Sequence, residues 1–268
     1  MSLKGFEQSR FSFQGKTCPV FHKGNGPGVV IIHEIPGITP QVERFANLVA
    51  DSGFSVVMPS LFGTPGKKLS VAYLGEQFVR ACISKEFSVL AAGAGSPITD
   101  YLRALCRKTH QELGGPGVGV VGMCLTGNFA LSLFADDSVM APVLSQPSLP
   151  FGLTQKQRSG LHIGQEEMSR VKERVAQGEK VMGLRFTGDM ICPGVRFKKL
   201  KEELGEGFVD IEIDSGFGNT HGIKPIAHSV LTTDLVNEEG HPTHEALQRV
   251  LEFFHEKLDA GEERVIEY

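Results

Sequence analysis

Cys124 stands at the corner of Gly119-Val120-Val121-Gly122-Met123-Cys124-Leu125-Thr126-Gly127, with glycines two residues before it and three after it. The run Val118 to Val121 reads as a strand and Leu125 to Ala135 as a helix, so the cysteine falls where one passes directly into the other. A tight turn of this kind lifts a nucleophilic side chain off the top of a sheet, and small neighbours are needed where the two backbones approach. The start of the helix adds partial positive charge, which favours a thiolate and any anion formed beside it. The usual elbow carries glycine two residues after the nucleophile. Here that place is Thr126, with Gly127 next to it giving the relief. The other four cysteines lack such a setting: Cys82 and Cys106 lie on helical faces, Cys18 in an edge-like segment and Cys192 in a loop before Pro193. They read as structural, small buried hydrophobes.

The elements that must hold this corner form a regular alternation. Phe6 to Phe21 alternates weakly, as an N-terminal hairpin would. Val29 to Ile32 and Ser55 to Met58 are short apolar runs of the kind buried on both faces. Between them Val42, Phe45, Leu48 and Val49 recur at helical spacing, and Gly53 stops the helix. Helices are predicted over Val71 to Leu90, Ile98 to Glu112, Gln165 to Gln177, Gly194 to Leu204 and Pro242 to Lys257. Further strands are predicted over Val139 to Leu144, Val181 to Thr187 and Phe208 to Ile213. Buried strands alternating with helices imply a doubly wound, mainly parallel α/β sheet covered on both faces, in a single domain over residues 1–268. Residues 63–98 are the least regular and are expected as an insertion over the pocket. In such a sheet, ligands bind beyond the carboxyl ends of the strands.

The 268 residues carry a net charge of −4 and are 41% hydrophobic, which fits a globular protein and lacks the basic excess of a nucleic-acid binder. No window has the length of apolar residues that a membrane span needs, and Met1 to Gln14 has none of the features of a signal peptide. Five widely spaced cysteines read as reduced thiols, which places the chain in the cytoplasm. No cofactor is expected, because Gly24-Asn25-Gly26-Pro27-Gly28 precedes its strand instead of following it. No metal is expected either: the pair His241 and His244 has no suitably spaced partner beyond Glu245.

Three separated stretches resemble the dienelactone hydrolase family of α/β-hydrolases. They are His33-Glu34-Ile35-Pro36-Gly37, Val121-Gly122-Met123-Cys124-Leu125 and Gly188-Asp189-Met190-Ile191-Cys192-Pro193, with a looser fourth at Gly218-Asn219-Thr220-His221-Gly222-Ile223. The resemblance implies an α/β-hydrolase fold and a Cys–Asp–His order, which selects Cys124, Asp189 and His221. Asp189 also follows a strand at its carboxyl end, and His221 lies in a glycine-rich loop after another. His228, seven residues on in the same loop, is the rival base. By the same resemblance Glu34 is the resting partner of the Cys124 thiol, while the backbone N–H groups of Ile35 and Leu125 form the oxyanion hole. The expected activity is hydrolysis of a small ester or lactone through a thioester. The family's substrate-binding arginines have no clear match: Arg80 and Lys85 are the nearby cations, and Pro225 stands where a second arginine is expected. Two other readings stay open. A flavodoxin-like glutamine amidotransferase would also place a cysteine on an elbow, though here Asn128 stands four residues on, where glutamine is expected. A non-catalytic, ligand-binding relative of the hydrolases is the other.

Overall fold

A computed structural model describes residues 3–83, 96–148 and 158–259, with backbone alone for 78–83. Eight strands form one sheet: β1 (Glu7–Phe13), β2 (Lys16–Lys23), β3 (Gly28–Ile32), β4 (Ser55–Pro59), β5 (Val118–Met123), β6 (Val139–Ser145), β7 (Val181–Phe186) and β8 (Phe208–Ile213). Their order is β1-β2-β4-β3-β5-β6-β7-β8. The first two strands join β4 as an antiparallel margin, and every pair from β4 to β8 is parallel. The helices are α1 (Pro40–Asp51), α2 (Val71–Ile83), α3 (Pro97–Leu113), α4 (Gly127–Leu133), α5 (Gln165–Ala176), α6 (Gly194–Leu204) and α7 (Pro242–Leu258).

Alternate residues of each central strand serve opposite faces, as strand geometry requires. Val29, Ile31 and Val121 pack with Phe45 of α1 and Phe254 of α7. Val30, Ile32 and Val120 pack with Leu102 of α3, Phe129 of α4 and Phe197 of α6. Burial on both faces explains why these strands read as continuous apolar runs. The chain winds outward from β3 to β4 on one side, then returns to place β5 on the other. The crevice between β3 and β5 is therefore the topological switch point, where side chains and loops at the carboxyl ends diverge and leave room for a ligand. Cys124 follows β5 directly, and Glu34 and Ile35 follow β3.

Two boundaries differ from the sequence reading. The helix expected from Leu125 opens as a 3-10 turn over Cys124–Thr126 before α4 begins. Of the helix expected over Val71 to Leu90, α2 ends at Ile83 and the remainder lies outside the described residues.

Candidate active site

Cys124 has φ 54°, a left-handed value that costs energy for any residue with a Cβ. The surroundings fix this conformation. A Cβ on Gly122 would lie 2.3 Å from the Thr126 carbonyl oxygen, and one on Gly127 would lie 2.7 Å from Cα of Pro147. Thr126 is a fastener here. Its hydroxyl accepts from the Met123 N–H at 2.9 Å and lies 2.9 Å from the Ile32 carbonyl oxygen, tying the elbow to the end of β3. The segment after β6 closes on the same corner. Ser148 N–H donates to the Cys124 carbonyl at 2.9 Å, and its hydroxyl donates to Cys124 Sγ at 3.1 Å. Asn128 of α4 holds the Ser148 carbonyl at 3.1 Å, and buried Arg196 of α6 donates to the Pro147 carbonyl at 2.5 Å.

Asp189 is buried in the loop after β7, its Oδ1 accepting from the N–H groups of Ile191 at 2.9 Å and Cys192 at 3.2 Å. Its Oδ2 receives Nδ1 of His228 at 2.6 Å. A carboxylate only accepts, so Nδ1 carries a proton and the ring presents Nε2 on its other side. That Nε2 is buried and faces the Cys124 sulfur. Burial opposes a charge on this ring, but the Cys124 sulfur and the Asp189 carboxylate outweigh it and hold the imidazole well above its ordinary pKa. The arrangement sets an imidazole beside the sulfur, favours its charged form and orients it from behind by a fixed carboxylate.

The histidine that the structure brings to Asp189 is thus His228, and not His221. His221 is exposed, with its ring against that of His241 at 5.6 Å. The Gly218–Ile223 stretch is a turn closed on itself: Asn219 Oδ1 accepts from the N–H groups of His221 and Ile223, and its Nδ2 donates to the carbonyls of Gly216 and Ile223. The turn points His221 outward, and the chain returns before His228. A second turn then fixes the base, with Asp234 Oδ2 accepting from the N–H groups of His228 at 3.0 Å and Ser229 at 2.9 Å.

Glu34 also departs from expectation. Its carboxyl is buried and takes hydrogen bonds from Thr232, from Ser229 at 2.8 Å and from Gln146 at 3.2 Å. Among the described residues Sγ of Cys124 bonds to Ser148 and not to Glu34. Burial pushes the Glu34 carboxyl above its ordinary pKa, and the bonds from Thr232 and Ser229 offset this in part. Glu34 therefore ties the end of β3 to the turn that carries His228. Ser148, Gln146, Ser229 and Thr232 were not singled out in the sequence. They sit in segments without period, where no pattern marks them.

A cavity of about 770 Å³ opens above the elbow, lined by Cys124, His228, Ile35 and Leu125 among others. Leu125 is in the first turn after the corner, where N–H groups lack intrahelical acceptors. Leu69, Val71 and Leu74 line the cavity too. Lys224 is the one cation in the lining among the described residues. The Arg80 side chain and the whole of Lys85 lie outside the described residues. No group of three or more His, Cys, Asp or Glu side chains among the described residues could hold a metal ion. No described helix is long and apolar enough to cross a membrane.

Residues 18–258 match the Dienelactone hydrolase family. The chain belongs to that family. It is accordingly an ester or lactone hydrolase acting on small molecules. Solved structures give the same fold at low identity. One is a putative dienelactone hydrolase from Klebsiella pneumoniae subsp. pneumoniae MGH 78578, 16% identical with a TM-score of 0.60, covering 93% of this chain and 97% of that one. A dienelactone hydrolase-like promiscuous phosphotriesterase from metagenomic libraries is 14% identical with a TM-score of 0.59, covering 94% and 98%. A cold-adapted esterase from an Arctic intertidal metagenomic library is 15% identical with a TM-score of 0.56, covering 96% of each chain. No curated protein matches the sequence. Membership of the dienelactone hydrolase family removes the amidotransferase reading.

Proposed function

We propose that this protein cleaves small carboxylic esters or lactones through a thioester on Cys124, with His228 as the base and Asp189 as its orienter. The observation that carries the reading is the 2.6 Å bond from Nδ1 of His228 to Asp189 on a ring that lines the same cavity as Cys124. With the thiol proton held on His228, Sγ forms a bond to the carbonyl carbon. The N–H groups of Leu125 and Ile35 receive the oxyanion, and the C–O bond breaks as His228 returns the proton to the leaving alkoxide. Water, deprotonated by the same ring, then attacks the thioester, and the thiol leaves with that proton. Ser148 holds the sulfur in the resting state, a role that replaces the one expected of Glu34. The free cysteines, three of them buried, support action in the cytoplasm.

Kinetics with p-nitrophenyl esters test the assignment. Cys124→Ala and His228→Ala should each lower kcat/KM by about 10³-fold or more, whereas His221→Ala, on an exposed turn, should stay within about threefold of wild type. A large loss in His221→Ala with full activity in His228→Ala would reverse the choice of base.

A further inference from the structure

The cavity is far larger than an acetyl ester or a small lactone requires. At about 770 Å³ it lies in the upper range of pockets that enclose drug-sized ligands. Its charges do not call for an anionic substrate. Glu34 and Asp234 are both acidic and both engaged by hydrogen bonds, and Lys224 is exposed at the margin. The rest of the wall is largely aliphatic, and much of it faces water: Val71 is 89% exposed, Leu69 and Leu74 are each 40% exposed, and Ile226 is 86% exposed. Apolar groups concentrated at the mouth of a cleft and left wet are one mark of a ligand-binding groove.

The reaction geometry divides this wall in two. The leaving oxygen must come within reach of Nε2 of His228 to receive its proton, so the alcohol part exits past the His228 loop, where Ile226 and Lys224 stand. The acyl part must extend the other way across the elbow, toward Ile35 and the segment Leu69–Leu74 that opens α2. On the reading of Cys124 and His228 given above, we infer that the substrate is an ester of an uncharged, medium-length aliphatic acid, whose chain lies on Leu69, Val71 and Leu74. Burying each methylene is worth roughly fourfold in binding, so chain length is the variable that reports this contact.

The test is kcat/KM for p-nitrophenyl acetate, butyrate, hexanoate and octanoate, with the p-nitrophenyl half-ester of adipic acid as a charged chain of hexanoate length. Wild type should gain about tenfold or more from acetate to hexanoate, and the adipic half-ester should fall below hexanoate. Val71→Asp, an exposed change at the first position of a helix, should flatten the rise. A flat or falling series, or an adipic half-ester better than hexanoate, overturns the inference. Calorimetric binding of octanamide and acetamide to Cys124→Ala separates this inference from the mechanism. Octanamide binding about tenfold tighter or more supports the acyl site even if Cys124 proves dispensable for turnover, and equal binding rejects it even if Cys124 proves essential.

Discussion

At the residue scale, three titratable groups near β3 and the elbow, His33 and Glu34 buried and His228 half-buried, are held in different states by their surroundings. His33 is fully buried, with Nδ1 at 3.0 Å from the Glu34 carbonyl and Nε2 accepting from the Leu61 N–H at 3.0 Å. Burial lowers its pKa to about 4, so it is a neutral bracket between β3 and the loop after β4. Glu34 is shifted upward by burial, and His228 is raised by the sulfur and Asp189 against burial. The signs differ. The unfolded chain binds a proton at His33 near pH 6.5 and the native chain only near 4, so its contribution is complete above 6.5 and is lost as pH falls toward 4. Glu34 and His228 run in the opposite sense, their contributions fading as pH rises through their folded values. The difference between wild type and His33→Gln isolates the first. Between pH 7 and pH 5, urea unfolding should show wild type losing about 2 kcal/mol more stability than the variant. Equal losses would mean that the imidazole is not held neutral.

At the scale of elements, the site depends on two loops meeting. A Cβ on Gly188 would lie 2.6 Å from the Pro225 carbonyl oxygen and 2.8 Å from Oγ of Ser215, so the loop that leads to His228 rests directly on the loop that carries Asp189. Gly188→Ala should push them apart, cutting kcat by about tenfold or more while costing about 1–3 kcal/mol in unfolding free energy. Unchanged kcat would show that the contact does not position the base. The elbow was legible in the sequence because close backbone approach leaves a signature, Gly122 before the corner and Gly127 after it. The Asp189 position was legible because it follows a strand. His228 was not, because residues between β8 and α7 form no regular element, and their path is set by side chains bonding to backbone. Asn219 turns His221 out and Asp234 fixes His228, and neither follows a period. The bonds of Glu34 were not legible for a related reason: its partners Ser229 and Thr232 lie some 195 residues away in sequence, in that same irregular stretch.

Across the whole molecule, the doubly wound sheet was readable because strands buried on both faces carry unbroken apolar runs, and each was placed within two residues of its ends. The N-terminal hairpin was anticipated from its weak alternation, and it forms the antiparallel margin next to β4. The sheet brings residues from positions 34, 124, 148, 189 and 228 to one edge, and strand order makes that edge a crevice. The central claim is that the sulfur at this crevice becomes acylated. Mass spectrometry of protein quenched during turnover of p-nitrophenyl hexanoate tests it most directly. The account predicts a hexanoyl adduct, labile to hydroxylamine, on the peptide containing Cys124 and absent from Cys124→Ala. Turnover that proceeds undiminished in Cys124→Ala, with no adduct on that peptide in wild type, would contradict it.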